Sequence, residues 1–475
     1  MYIGLDLGTS GLKAVLVDDT QTIRAEKTVP LTVARPAPGW SEQDPESWCE
    51  AADQAMAGLG DLSAVRAIGL SGQMHGATLV GADDRALRPS ILWNDTRASE
   101  EAAELDADPR WREITGNIVF PGFTAPKLVW AARHEPEAFA ATKRVLLPKD
   151  YLRLWLTGEA VAEMSDAAGT SWLDTGARDW SDELLSLTGL SRGHMPRLVE
   201  GSEPSGIVRP ELASRWGLPE GVTVAGGGGD NAASAIGCGV VRAGEAFVSL
   251  GTSGVLFAAA DAYQPAPETA VHTFCHALPG TWHQMGVILA ATDALNWYAG
   301  TAGKEASALT GALGALEPPA RTLFLPYLGG ERTPHNDARI RGAFLNLDHA
   351  SDQAALTRAV LEGVTHAIRD CFDALTATGT RIEKLIAVGG GARSDYWLSA
   401  LATSLELSVE RPVSGDFGGA FGAARLAMMA DGASADIAQP PETDRVFAPD
   451  PALRDAFADA HARYRAAYHA LKDLT

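Results

Sequence analysis

Short apolar runs alternate with longer stretches of helical periodicity along the whole chain. Tyr2 to Leu7 and Leu12 to Val17 are β-rich runs on either side of Gly8-Thr9-Ser10-Gly11, and Ala246 to Leu250 and Val255 to Ala259 flank Gly251-Thr252-Ser253-Gly254 in the same way. Apolar runs around a Gly-polar-polar-Gly turn predict two β-hairpins. Val65 to Leu70 predicts a strand that ends in the loop Ser71-Gly72-Gln73-Met74-His75. Thr223-Val224-Ala225 predicts another, running into four glycines (Gly226 to Gly229), then Asp230-Asn231 and a small-residue helix from Ala232 to Ile236. Leu385 to Val388 runs into Gly389-Gly390-Gly391-Ala392-Arg393-Ser394 and a helix from Tyr396 to Ser404. Ala354 to Thr376 has helical periodicity without proline, and Pro451 to Leu474 reads as an amphipathic helix. Strands alternating with helices predict an α/β fold.

The two hairpins belong to a repeat. Leu7-Gly8-Thr9-Ser10-Gly11 returns as Leu250-Gly251-Thr252-Ser253-Gly254, displaced by 243 residues in a chain of 475. The near-half displacement and the shared hairpin context predict duplication of one fold, with lobes at 1–240 and 241–475. No long low-complexity linker separates the halves, so the lobes are expected to pack closely and hinge.

Composition narrows the function. The chain is 46% hydrophobic and 21% charged, which is ordinary for a globular protein. Lys plus Arg number 39 against 60 Asp plus Glu, a net charge of −21 with no concentrated basic run. Such a chain repels phosphate backbones and anionic lipid, so neither nucleic acid nor membrane is an expected partner. Cys49, Cys238, Cys275 and Cys371 share no close spacing, which argues for a reducing compartment. The start of the chain has no basic segment followed by an apolar one. No stretch approaches the roughly eighteen apolar residues of a membrane span. A cytoplasmic protein is expected.

Several residues carry chemistry. Both Gly-Thr-Ser-Gly turns offer backbone amides and hydroxyls without bulk, as a turn approaching phosphate oxygens requires; one per half suggests a phosphate chain gripped between lobes. The turns differ in that Asp6 precedes the first and Ser249 the second. An acid beside a phosphate turn needs a divalent cation between them, which makes Asp6 a candidate for organising Mg²⁺. Lys13 is placed to add positive charge on the same face. Asp230, after four glycines, suits either an N-cap or a carboxylate that accepts a proton from a substrate hydroxyl. Gly389 to Gly391 matches neither a dinucleotide fingerprint nor a P-loop but is able to flank a flat base. His272, Cys275 and His276 lack a complementary pair at zinc spacing and read as core or pocket residues. In the Met74-His75 loop, His75 is suited to orient a polyol hydroxyl, with Met74 and Trp93 as apolar walls; a buried, hydrogen-bonded histidine is the alternative.

Together these pieces resemble the FGGY family of carbohydrate kinases, in the actin–hexokinase–Hsp70 superfamily. The resemblance runs through Trp40-Ser41-Glu42-Gln43-Asp44-Pro45, Gly72-Gln73-Met74-His75-Gly76, Leu92-Trp93-Asn94-Asp95, Pro121 to Lys127, Leu147-Pro148-Lys149-Asp150-Tyr151, Ser165 to Thr170 and Gly228-Gly229-Asp230-Asn231. It continues in Phe324-Leu325-Pro326-Tyr327, Glu331-Arg332-Thr333-Pro334 and Gly389 to Arg393. It implies two duplicated ribonuclease H-like lobes with a central interlobe cleft. It also implies phosphoryl transfer from ATP to a sugar: D-xylulose in the branch that shares the Gln-Met-His-Gly loop, with ribulose, glycerol or an actin-like ATPase as alternatives. By the same resemblance Asp230 is the general base, and Asp6 lies with the cation and phosphates; Asp6 and Asp230 are the expected Mg²⁺ residues, directly or through water. Met74, His75, Trp93, Asp230 and Asn231 would meet sugar, and Thr9, Ser10, Lys13, Gly251, Thr252, Gly390 and Gly391 would lie along ATP. A homodimer is compatible with the resemblance. Two positions depart from the family pattern: Asn346 stands where the signature has glycine, and Ala355 where it has a polar residue.

Overall fold

A computed structural model describes residues 1–413 and 417–474. The chain forms two compact units. The first holds Met1–Val241 and Phe274–Trp282, together with the later stretch 417–440 that carries the helix Gly419–Ala430; the second holds Arg242–Thr273, residues 283–413, and the segment from Pro441. The division expected at residue 240 therefore marks only the first crossing between units. A contiguous cut misses the return of Gly419–Ala430, which belongs with the first sheet because it packs on it.

The first unit is built on β1 (Tyr2–Leu7), β2 (Gly11–Val17), β3 (Ile23–Pro30), β4 (Ala67–Gly72), β5 (Pro204–Ile207), β6 (Thr223–Ala225) and β7 (Gly228–Gly229). Its sheet runs β5-β6-β4-β1-β2-β3, with β7 against β4. The second sheet uses β8 (Gly244–Leu250), β9 (Gly254–Ala260), β10 (His272–Cys275), β11 (Trp282–Ile288), β12 (Ile382–Val388), β13 (Val409–Pro412) and β14 (Thr443–Phe447), in the order β10-β11-β9-β8-β12-β13-β14. In each sheet a hairpin's first strand is antiparallel to its mate and parallel to a strand far along the chain: β1 with β2 and β4, β8 with β9 and β12. The repeated pentapeptide is thus the sequence trace of a repeated topology.

Several element ends differ from the sequence reading for nameable reasons. β4 begins two residues later than expected, because it pairs with β1 from Tyr2↔Ala67 to Leu7↔Gly72, and the partner's length fixes its own. The helices Gln353–Ala377 and Asp395–Leu405 start one residue earlier than expected, behind the side-chain caps Asp352 and Ser394. Asn346 adopts φ +58, so the departure from the family glycine keeps the left-handed backbone that asparagine tolerates better than most residues. The amide of Ala355 is taken by the Asp352 carboxylate. Among the described residues no helix is long and apolar enough to cross a membrane, and all four cysteines are free and buried.

What positions the first unit's centre is direct contact between backbones. A Cβ added at Gly4 would overlap the carbonyl of Ala420, and one at Gly69 the carbonyl of Ala423. On the same helix, a Cβ at Gly422 would overlap the carbonyl of Ala233 in the helix Asp230–Cys238. Arg425 adds a lock, donating to the carbonyls of Ile236 at 2.9 Å and Gly237 at 3.0 Å. Tyr2, Val15, Val17 and Ala67 then pack against Ala420, Phe421, Ala424, Ala427 and Met428. We expect Gly4→Ala to destabilise the protein by about 2–3 kcal/mol or more, because rigid backbone must retreat. Gly300 is exposed in the helix Thr292–Ala302 with nothing near its Cβ position, and Gly300→Ala should stabilise by up to about 1 kcal/mol. Urea unfolding of the two variants checks the contrast; equal effects would overturn it.

Candidate active site

The carboxyl ends of three parallel strands converge in the first unit. The β1–β4 register sets Asp6 beside Ser71, and the β4–β7 register sets Ser71 beside Gly228, one row before Leu7, Gly72 and Gly229. Beyond those rows the chain turns into three different structures: the Gly8–Gly11 turn, the Gln73–Gly76 loop and the helix that starts at Asp230. Open α/β sheets receive ligands at such strand ends.

Asp6 is held in place. The Ser71 hydroxyl donates to Asp6 Oδ1 at 2.7 Å. A Cβ on Gly419, at the start of the helix Gly419–Ala430, would come within 2.9 Å of the same oxygen. A helix N-terminus facing a carboxylate is electrostatically favourable. Lys13 stands opposite Asp6 in the β1–β2 register and forms an ion pair with Glu26 at 2.9 Å.

Asp230 does not cap its helix. Gly229 is the N-cap and Asp230 the first helical residue, which removes the capping alternative. Its Oδ1 accepts from the Asn231 amide at 2.8 Å and from Asn231 Nδ2 at 3.0 Å. Burial, reinforced by the negative charge of Asp6, pushes its carboxyl up to about 6. Such a group ionises near neutrality and suits proton abstraction.

The Met74-His75 loop lies against this glycine segment: a Cβ on Gly229 would meet Met74 Sδ at 2.9 Å. His75 takes φ +67 and places its Nδ1 2.7 Å from the Gly169 carbonyl, with its ring stacked on Phe123 at 4.4 Å. The His75 carbonyl accepts from Lys127 Nζ at 2.9 Å and Thr124 Oγ1 at 3.2 Å, which ties the left-handed residue to the helix Thr124–His134. Burial pushes the Lys127 ammonium well below its ordinary range.

The first turn is tied to this loop through side chains. Trp93 Nε1 donates to Thr9 Oγ1 at 3.0 Å, and Thr9 Oγ1 donates to Gln73 Oε1 at 2.9 Å. Gln43 Nε2 donates to the Thr9 carbonyl at 2.7 Å, while Gln43 Oε1 accepts from Gln73 Nε2 and Trp48 Nε1. The Thr9 hydroxyl is therefore committed to Trp93 and Gln73, and its carbonyl to Gln43. Ser10 is exposed on the same turn. Trp93, 47% exposed, presents its ring while its nitrogen is anchored.

The second unit repeats the turn with other supports. The Gly251 carbonyl accepts from the amide and hydroxyl of Thr292 at 2.8 and 2.7 Å, and the Thr252 carbonyl from the Ala291 amide at 2.8 Å. Gly389 adopts φ +87 against Leu250, and a Cβ on Gly391 would strike Trp397. Gly390 and Gly391 line a cavity of 790 Å³ with Asn296, Ser307, Tyr396 and Arg411. His276 is a core residue, bonded through Nε2 to the Val240 carbonyl at 3.1 Å, and burial pushes its ring down to about 4. Cys275 Sγ lies 3.5 Å from the Thr175 carbonyl, and the side chain of His272, buried in the second unit, meets Arg332 Nη1 at 3.5 Å.

The sequence reading gave no role to Ser71, Gln43, Gln73, Thr124 or Lys127. Gln43, Gln73, Thr124 and Lys127 stand in segments that carry the family resemblance, but what each of the five side chains bonds is hidden because the partners lie tens of residues away.

The profile of the FGGY family of carbohydrate kinases, N-terminal domain, matches residues 1–237, and that of its C-terminal domain matches residues 246–430. The chain is 52% identical over 436 residues to a xylulose kinase of Escherichia coli K12, covering 90% of each chain. It is 49% identical to a xylulose kinase of Klebsiella pneumoniae, covering 95% of each. A crystal structure of a xyloylose kinase from Brucella ovis superposes over 100% of both chains with a TM-score of 0.99 at 60% identity.

The electrostatics of Asp230 carry a stability consequence. Its carboxyl sits near 6 in the fold against an ordinary 3.8, so the ionised form is the one folding disfavours. That penalty is fully present above about pH 6 and fades as pH falls toward 3.8. Asp230→Asn should therefore raise unfolding free energy at pH 7 by about 1–3 kcal/mol, and by less at pH 5. Urea titrations at both pH values test this; a variant no more stable than the parent at pH 7 contradicts it.

Proposed function

The chain belongs to the FGGY family of carbohydrate kinases, and from that premise we propose that it transfers the γ-phosphoryl group of ATP to the terminal hydroxyl of D-xylulose, forming D-xylulose 5-phosphate. The observation that carries this reading is Asp230, a carboxylate with a raised pKa beside the Met74-His75 loop, in a chain half identical to a xylulose kinase.

The sugar lies against Met74, His75 and Trp93, with Asn231 and Asp230 at its reacting end. Asn231 directs both its donors to Asp230 Oδ1, which leaves Oδ2 to take the proton of the attacking hydroxyl. Deprotonation and alignment accompany in-line transfer, in which positioning and charge stabilisation supply most of the rate. In the first unit Ser10, Lys13 and the backbone around Thr9 serve the phosphates. In the second unit Gly251 and Thr252 serve phosphate, and the cavity beside Gly390 and Gly391 is large enough for the adenosine moiety. Two carboxylates that repel each other, Asp6 and Asp230, fit a divalent cation. They are the residues that would hold Mg²⁺, which when bound offsets phosphate charge. ATP as co-substrate and four reduced thiols favour the cytoplasm, and sedimentation would distinguish a homodimer from a monomer.

A coupled assay across pentuloses, hexuloses and glycerol tests the substrate. D-Xylulose should give the highest kcat/KM, and preference for ribulose or glycerol would redirect the reading within the family. Sugar-independent hydrolysis with assembly on ATP would favour an actin-like ATPase. Asp230→Ala should lower kcat by about a thousandfold or more while ATP still binds; near-normal turnover in a folded variant would remove Asp230 from its role. Because the base must be ionised, kcat/KM should fall as pH drops through about 6.

A further inference from the structure

Beneath the site lies a group of charges that the transfer step does not use. Lys149, Asp150 and Arg153 come from the helix Pro148–Thr157, and Glu163 and Asp166 from the segment around the short helix Met164–Ala167; all five are fully buried. Lys149 Nζ lies 2.8 Å from Asp150 Oδ1, 2.9 Å from Asp166 Oδ2 and 3.3 Å from Glu163 Oε1. Burial drives the Asp166 carboxyl upward against the pull of Lys149, while the three carboxylates together outweigh burial and hold the Lys149 ammonium above its ordinary value. Removing five ionisable groups from water costs more than a hydrophobic replacement would, so fold stability alone is a poor reason for the cluster.

Its outward bonds show what it holds. Arg153 Nη1 donates to the Ala225 carbonyl at 2.6 Å and to Ser205, and Arg153 Nη2 donates to the Gly226 carbonyl. At the other end, the Gly229 amide donates to Ser165 Oγ at 3.0 Å. Ser165 Oγ in turn donates to Glu163 Oε1 at 3.0 Å, and the amides of Ser165 and Asp166 donate to the same carboxylate at 2.7 and 2.9 Å. The segment pinned at both ends is Gly226–Gly229, which leads directly into Asp230. Four glycines have no side chains with which to fix their own path, and their backbone freedom is the largest of any residue. A segment of this kind holds a group to the tolerance catalysis needs only if its surroundings restrain it; the amides of Gly226 and Gly227 bond the carbonyls of Glu203 and Gly201, β7 pairs with β4, and Ser165 adds the restraint at the last glycine.

We propose that Ser165 is a positioning residue: its hydroxyl, oriented by Glu163, which Lys149 in turn pairs, fixes the Gly229 amide and thereby the approach of the Asp230 carboxylate to the acceptor hydroxyl. Arg153 performs the same service at the entry to the loop. The inference rests on Asp230 as the base, and it adds a part to that reading. A satisfied polar core without this role would give a different pattern, because losing Ser165 would then cost stability and leave the chemistry of the folded protein intact.

The test compares Ser165→Ala and Ser165→Thr in the full-length chain. Ser165→Ala should lower kcat between about tenfold and a hundredfold, with KM for sugar and for ATP changed less than about threefold. Ser165→Thr retains the hydroxyl and should recover most of the loss. Hydrogen exchange followed by mass spectrometry should show faster exchange in the peptide containing Gly226–Asn231 for Ser165→Ala, with the rest of the first sheet unchanged. A folded Ser165→Ala with kcat within twofold of the parent overturns the proposal, as does unchanged exchange in that peptide. If the extra methyl prevents Ser165→Thr from folding, the exchange result and the split between kcat and KM in Ser165→Ala still decide the matter. A parent protein that phosphorylates no sugar defeats the functional reading instead, and the exchange comparison then judges separately whether Ser165 holds the loop.

Discussion

The first unit's site depends on backbone meeting backbone with no side chain between. Gly4 and Gly69 let the helix Gly419–Ala430 rest on the strands β1 and β4, and Gly422 lets the same helix rest on Asp230–Cys238. Protein interiors are packed closely enough that one added methyl at such a contact moves an entire element. The helix start is thereby brought to Asp6, and the helix that begins with Asp230 is set against the same strands. Two carboxylates in different segments acquire a fixed relation because the elements carrying them cannot slide past each other.

That relation places electrostatics and stability in opposition. Burial first, and the neighbouring charge of Asp6 second, disfavour the ionised form of Asp230, which carries both as a raised pKa. Beneath it, Lys149, Asp150, Arg153, Glu163 and Asp166 occupy volume that apolar side chains would fill at lower cost. Charge buried at a loss is tolerated where it orients something. Here it orients glycines, the residues least able to orient themselves. The neighbouring turn follows the same logic with neutral groups: Gln43 and Gln73 hold both the carbonyl and the hydroxyl of Thr9.

What was legible in the sequence was local. The hairpins are visible because Gly-Thr-Ser-Gly interrupts apolar runs, and the duplication is visible because the interruption recurs. Asp230 attracts notice because four glycines precede it, although those glycines do not by themselves distinguish an N-cap from a base; the helix starts at Asp230 itself, one residue earlier than an Asp230 cap requires, and that makes the distinction. Partners distant in sequence were hidden. Nothing near Thr9 announces that its hydroxyl is already spent on Gln73 and Trp93, and nothing near residue 420 announces a return to the first sheet. The ends of β4 were misjudged for the same reason, since its length is borrowed from β1.

The return of Gly419–Ala430 to the first sheet also sets a schedule for synthesis. The strands β1 and β4 emerge from the ribosome early, yet the helix that covers one face of them is translated some 350 residues later. Until then Tyr2, Val15, Val17 and Ala67 have no permanent cover, and the groove over Gly4 and Gly69 stands open to any short-side-chained helix that reaches it. The nascent first half is thus a sheet awaiting its last layer, exposed for most of translation to the misassembly that unburied apolar surface invites. A gene truncated after the first half would leave that exposure permanent, because the helix that covers the first sheet is encoded beyond the second hairpin.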